Sequence, residues 1–184
     1  MGKGSLVGIL MSFALLGCTA TEMFSPSNAE SGGQRASGHV YDIDYVKKAG
    51  WTQILIMPMG GDRNPTFQTD NAFVQAVLET ALLDRLPTEV TYYESGNTGP
   101  AKILTATVSA GPPTCPVKGC VERVTCVANG ECSARINGEM QEAKTKEIRA
   151  LGVLLTAINK KKAVENLVID PKTYQIHQVK INAP

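Results

Sequence analysis

The chain has 184 residues, 43% of them apolar and 19% charged, with 18 Lys and Arg against 17 Asp and Glu. That is enough apolar material for one core of ordinary size, and too much for a disordered chain. Taking away residues 1–17 removes one cation, Lys3, and leaves 17 basic against 17 acidic side chains. Such a balance builds no broad positive field, so no nucleic-acid partner is expected.

Met1-Gly2-Lys3 gives a short positive start, and an apolar run of 11 residues follows from Leu6 to Leu16. As a helix it would span roughly 16 Å at about 1.5 Å per residue, against a hydrocarbon core of about 30 Å. The run therefore reads as the removable core of an export signal and not as a permanent span. Leu15-Leu16-Gly17-Cys18 then resembles the lipobox of bacterial lipoproteins: a branched apolar residue, a tolerant position, a small residue and the Cys. The resemblance implies that Cys18 receives a diacylglycerol, that the signal is cut before it, and that the new amino group is acylated. Burial of acyl chains contributes about 0.8 kcal/mol per methylene, so two or three chains anchor durably. The same resemblance implies, from Thr19 and the absence of Asp after the Cys, an outer-membrane anchor with the domain facing the periplasm. Ordinary signal cleavage after Ala20 or Ala29 is the alternative.

Residues 19–38 are rich in Ser, Gly and Pro and poor in apolar side chains. They read as a flexible tether with a root-mean-square reach of roughly 25 Å. The expected organisation is a signal peptide at 1–17, a lipidated Cys and tether at 18–38, and a single domain at 39–184.

Within that domain, Val40–Val46 alternates loosely and suits a strand or a short helix, while 52–59 is a continuous apolar run, as in a strand covered on both faces. Gly60-Gly61-Asp62-Arg63-Asn64-Pro65 reads as a turn; without Gly-x-Gly-x-x-Gly or Gly-Lys-Ser/Thr it makes no phosphate cradle. Asp70, with Thr69 as a fallback, is the expected N-cap of a helix whose apolar stripe runs through Phe73, Val74, Val77, Leu78, Ala81 and Leu82 and which Pro87 stops. Glu89–Glu94 and Lys102–Val108 read as strands. Strand, helix and strand in succession imply a βαβ unit or a helix laid on a mixed sheet.

Four further cysteines, Cys115, Cys120, Cys126 and Cys132, lie within eighteen residues. An even number in an exported chain points to disulfides. Ala128-Asn129-Gly130 suits a three-residue hairpin loop with Gly130 left-handed, which sets Val127 against Glu131, Cys126 against Cys132 and Val124 against Ala134. The Cys126–Cys132 position is a non-hydrogen-bonded pair with Cα atoms about 4.5 Å apart, within disulfide reach. The expected pairing is Cys126–Cys132 and Cys115–Cys120; the alternative joins Cys115 or Cys120 to the hairpin. The spacing is off the pattern of a zinc site and lacks the Cys-x-x-Cys of a redox pair. The stapled hairpin is a candidate protruding contact element.

Ser133–Met140 reads as a further strand, extending towards Arg149. Leu151, Leu154, Leu155 and Ile158 fall at helical spacing, with Lys160-Lys161-Lys162 at a solvated helix end. Asp170-Pro171 is a turn, and Thr173–Ile181 a final strand. The two histidines, His39 and His177, and the pair Asp42 and Asp44 form no recognisable constellation; no HExxH or Gly-x-Ser-x-Gly occurs. No catalytic residue, metal ligand or cofactor site is assigned.

The fold class expected is α+β: a mixed β-sheet with two main helices packed on it and a disulfide-stapled β-hairpin. Ile54-Leu55-Ile56-Met57-Pro58, the helix 70–86 and Ala101–Val108 together resemble the periplasmic α/β domains of lipoproteins of the curli-secretion and TolB N-terminal type. The resemblance covers about half of the mature chain, omits the cysteine hairpin, and implies fold class only. The function expected is a non-enzymatic assembly or scaffold component of a cell-envelope machine (secretion, conjugation, flagellar or cell-wall apparatus), with protein partners. The alternative is a periplasmic lipid- or glycan-binding domain, possibly enzymatic.

Overall fold

The computed structural model describes residues 33–46, 51–58, 66–94, 100–112 and 115–181. The export signal, Cys18, the expected tether as far as residue 32 and the turn at 60–65 lie outside them.

The first strand, β1 (Gln34–Val46), organises the fold because it serves two neighbours. Gln34 to Gly38 pair antiparallel with β4 (Thr88–Tyr93), and Gly38 to Val46 with β2 (Trp51–Pro58). Gly38, opposite both Pro58 and Thr88, sits at the change of partner, where a strand turning a corner favours glycine. An irregularity between Val40 and Asp42 adds twist just beyond it. Residues 34–38, expected in the tether, are thus part of the sheet. Their small and polar side chains carry no apolar pattern, and it is pairing with β4 that orders them.

A short strand absent from the sequence-based expectation, β3 (Thr66–Thr69), closes the architecture. It pairs antiparallel with β2 and parallel with the start of β5 (Ala101–Ser109), through Phe67–Ala101 and Gln68–Lys102. Because β4 pairs with both β1 and β5, the strands form a ring in the order β1-β2-β3-β5-β4 and back to β1. The cross-strand partners Val40–Ile56, Ile54–Phe67 and Val90–Ala106 are all buried. Phe67 meets Tyr92 edge-on with ring centroids 4.8 Å apart, joining two strands that share no hydrogen bonds.

The helix α1 (Ala72–Asp84) connects β3 to β4 and buries Val74, Val77, Leu78 and Ala81, the centre of the expected stripe. Its N-cap is Asn71, not Asp70: Asn71 Oδ1 accepts from the amides of Phe73 and Val74 at 2.9 and 3.1 Å. Asp70 instead faces Lys102 at 3.4 Å, and Thr69 Oγ1 accepts the amide of Asn71. The helix ends at a left-handed Arg85, with the Leu86 amide donating back to Ala81, just before Pro87. No βαβ unit forms. The place beside β4 is taken by β1, which leaves α1 to pack against β1, β5 and the elements that follow.

Past the ring, β5 carries the sheet onward to β6 (Val121–Val127), β7 (Cys132–Ile136) and β8 (Ala143–Thr145). The strand expected from Ser133 towards Arg149 is broken after Ile136, because Asn137-Gly138 turns the chain with Gly138 at φ +90°. The second helix, α2 (Ile148–Lys160), buries Leu151, Leu154, Leu155 and Ile158 and packs on α1, β6 and the C-terminal hairpin. Lys160 lies in its last turn, and the chain leaves through a left-handed Lys161. That hairpin joins β9 (Val164–Ile169), also not foreseen, to β10 (Ile176–Ile181). Asp170 accepts the amides of Lys172 and Thr173 at 2.7 and 3.2 Å and so fixes its turn. The mixed sheet, both helices and the paired cysteines are present, but with ten strands against two helices among the described residues the fold is sheet-dominated.

The cysteine hairpin has the register its turn implies. Val127 donates to Glu131 at 2.9 Å, Gly130 has φ +85°, Cys126 faces Cys132 and Val124 faces Ala134. The Cα atoms of Cys126 and Cys132 are 4.1 Å apart and those of Cys115 and Cys120 are 5.8 Å apart, with each pair of sulfurs at bonding distance. The hairpin does not protrude. Cys126 and Cys132 belong to the buried core, and the turn is tied to the start of α1 by a 2.9 Å bond from Asn71 Nδ2 to the Ala128 carbonyl.

Candidate functional site on the open face of the sheet

Strand alternation decides what the sheet shows on the side turned away from the helices. In β4 to β8 the residues Val90, Ala106, Val108, Val124, Cys126, Ala134 and Ala143 are buried. Their neighbours in the chain therefore point the other way. The pairing registers place these outward residues in rows. Ser37, Glu89, Thr107, Thr125, Ser133 and Lys144 stand directly opposite one another across six consecutive strands, β1, β4, β5, β6, β7 and β8. At about 4.8 Å per strand, the row is about 24 Å long. A second row holds Arg35, Thr91, Thr105 and Val127, and a third Ser109, Arg123 and Arg135.

Several polar groups of this face are bonded to one another. Thr91 and Thr105 share a hydroxyl hydrogen bond of 2.7 Å, and Thr107 and Thr125 one of 2.9 Å. Glu142, from the turn before β8, folds back onto the face. Arg123 Nη2 donates to one of its oxygens at 2.6 Å, and Ser133 Oγ to the other at 2.8 Å. Partial burial works to raise its pKa, but the bonds from Arg123 and Ser133 and the charges of Arg123 and Arg135 outweigh that and hold it below the usual 4.5. Elsewhere on the face, Glu131 lies 3.6 Å from both Lys144 and Lys146, and Arg35 lies 3.9 Å from Glu89.

Chemically this face offers hydroxyls, which do not titrate near neutrality, and carboxylates paired with cations. It is equipped to accept and donate hydrogen bonds to a partner; Glu142, held ionised, serves as an acceptor and not as a proton donor. Among the described residues, no group of three or more His, Cys, Asp or Glu side chains is placed to hold a metal ion. A separate cleft of about 310 Å³ opens at one end of the sheet, lined by Ala110, Cys115, Pro116, Val121, Glu122 and Asn137.

The residues weighed from the sequence are distributed elsewhere. His39 lies in β1 and His177 in β10, 3.8 Å from Asp170. Asp42 and Asp44 are exposed on the outer half of β1. The four cysteines lie in the buried hairpin and in the loop before β6. The Arg123–Glu142–Ser133 group was not anticipated: Glu142 lies in a turn, and its partners are ordinary surface residues until the β6–β7 register brings them together. The available signal was the alternation of Thr105, Thr107, Thr125 and Ser133 with apolar neighbours.

The class of protein these features define is a small closed barrel of five strands, extended by an antiparallel sheet and covered on one side by two helices. Comparison with protein-family models, with curated proteins and with solved structures returns no match to this chain. The ring β1-β2-β3-β5-β4 carries one helix, α1, between its third and fourth strands.

Proposed function

We propose that the chain is an outer-membrane-anchored periplasmic lipoprotein, held by a lipidated Cys18, that serves as a non-enzymatic assembly or scaffold component of a cell-envelope machine. The lipobox-like Leu15-Leu16-Gly17-Cys18 supports the anchor. The observation that carries the scaffold role is the row from Ser37 to Lys144, a continuous hydrogen-bonding strip across six strands whose charges are already balanced. A surface of that kind favours recognition of another protein, in which fixed donors and acceptors set register while the rim charges steer approach.

The test is site-specific photocross-linking in intact envelopes, with a photoreactive residue at Thr125 on the open face or at Leu83, an exposed position on α1. One discrete adduct from Thr125 and none from Leu83 is the expected result. No protein adduct from either position would overturn the scaffold reading. The anchor has its own test: Cys18→Ser should leave an unprocessed chain that no longer sediments with the outer membrane.

A second reading, a lipid- or glycan-binding domain, is favoured by the cleft beside Cys115, which has both apolar walls and the polar Glu122 and Asn137. Cross-linking from Glu122 to a glycan or lipid, with none to protein from Thr125, would select it.

A further inference from the structure

The two cysteine pairs occupy opposite kinds of site. Cys126 and Cys132 are 0% and 1% exposed and lie under the helices within the core. In the other pair, Cys120 is 1% exposed but Cys115 is only half-buried and lines the 310 Å³ cleft. The two ends of the Cys115–Cys120 loop are also held differently. Cys120 is fixed by backbone: its carbonyl accepts from Asn137 at 2.8 Å, and Gly119 beside it donates to Asn137 and accepts from Val164 at 2.8 and 2.9 Å. Among the described residues, Cys115 itself makes no hydrogen bond; besides the sulfur bond, its end of the loop is held through the Val117 carbonyl, which accepts from the Cys120 amide and from Asn137 Nδ2, each at 3.2 Å.

We propose that Cys115–Cys120 is an exchangeable latch on the cleft, opened by a dithiol that attacks Cys115, whereas Cys126–Cys132 is a permanent staple. Exchange requires a thiolate to reach one sulfur, and the solvent side of this bond is Cys115. The incoming thiolate bonds to Sγ of Cys115, and the electron pair of the old bond leaves with Sγ of Cys120, which takes up a proton. The second thiol of the reagent then attacks its own sulfur in the mixed disulfide. This closes a cyclic disulfide on the reagent and releases Cys115 as a thiolate. The reagent is oxidised by two electrons and the protein reduced by two. Cys120 stays on its backbone bonds to Asn137, while the Cys115 end swings free and the cleft loses one wall.

The test uses the full chain under native conditions with graded dithiothreitol, alkylation of released thiols and mass analysis of the peptides. Cys115 and Cys120 should become alkylated together, at least about tenfold faster than Cys126 and Cys132. Amide exchange should rise at Cys120, whose amide donates to the Val117 carbonyl at 3.2 Å, and stay unchanged at Val124 and Ala134. Equal rates for the two pairs, or earlier release of Cys126–Cys132, overturns the proposal. Loss of protection at Val124 and Ala134 on opening Cys115–Cys120 also overturns it, because the bond would then be a support of the whole sheet. The direction of attack is read in two variants. A disulfide-exchange probe should label Cys115 in Cys120→Ser faster than it labels Cys120 in Cys115→Ser; the reverse order refutes the assigned entry point.

Discussion

Asn71 and Ala128, 57 residues apart, meet through a 2.9 Å hydrogen bond from the Asn71 side-chain amide to the Ala128 carbonyl. The same side chain caps α1 with its oxygen, accepting from Phe73 and Val74. One residue thereby starts the helix and fastens the cysteine hairpin to it, so the two disulfide-rich and helical parts of the core form one body.

The two roles separate by mutation. Asn71→Ser keeps an N-cap oxygen but is too short to reach Ala128, and its cost in urea unfolding should be about 1 kcal/mol, the net worth of a part-buried hydrogen bond. Asn71→Ala loses the cap as well and should cost about 1 kcal/mol more. If the two variants are equally stable, the cap contributes nothing.

Three glycines with positive φ make a graded series. At Gly119, φ +88°, an added Cβ would lie 3.0 Å from the Val164 carbonyl oxygen, a backbone atom with little room to yield. At Gly130, φ +85°, the nearest atoms are those of the Phe73 ring at 3.7 Å, an ordinary contact. At Gly138, φ +90°, the obstacle is the flexible side chain of Lys118. Alanine at 130 or 138 should therefore cost about 1–2 kcal/mol, the left-handed penalty alone. Gly119→Ala should cost more than either and lower the melting temperature furthest.

Acid should weaken the open face before it unfolds the core. Glu142 has its pKa lowered in the folded chain, so the stability it contributes is fully present above the ordinary carboxylate value and is lost as pH falls through the lowered folded value. Asp170 is shifted in the same direction, by the amides of Lys172 and Thr173 first. Carboxyl NMR titration should find both groups protonating below their ordinary values of 4.5 and 3.8. Glu142→Gln should flatten part of the acid-side fall in stability and leave the neutral-pH fold intact.

Removing the staple is the severest change. Cys126→Ala with Cys132→Ala frees the hairpin and leaves space in the core where both residues were buried. Loss of a disulfide from an exported domain costs about 2–5 kcal/mol, and denaturant midpoints under oxidising conditions should fall accordingly. The corresponding double variant at Cys115 and Cys120 should lose less, since it opens a surface loop at its exposed end.

Much of the local structure was legible in the residues themselves. The stripe of Val74, Val77, Leu78 and Ala81 and the spacing of Leu151, Leu154, Leu155 and Ile158 each specify a helix and its buried side, because burial repeats with the helical period. The Ala128-Asn129-Gly130 turn sets the hairpin register, because a left-handed Gly closes a three-residue loop in one way. Signals that depend on two or three residues were weaker. Asp70 and Asn71 are chemically equivalent as caps, and the choice falls to Asn71 because its amide also finds Ala128. Asn137-Gly138 was absorbed into a longer apolar-polar alternation that continues past it.

What the tertiary structure alone decided is which strands become neighbours. Four residues, Thr66–Thr69, are too few to show a period, yet their contact with Ala101 and Lys102 closes the ring. Gln34 to Gly38 have no hydrophobic pattern and become a strand because β4 offers them hydrogen-bonding partners. The open face exists for the same reason. Alternation along one strand says which side chains point outward, but a row across six strands needs every register at once, and registers are set by long-range pairing that no local stretch of sequence contains.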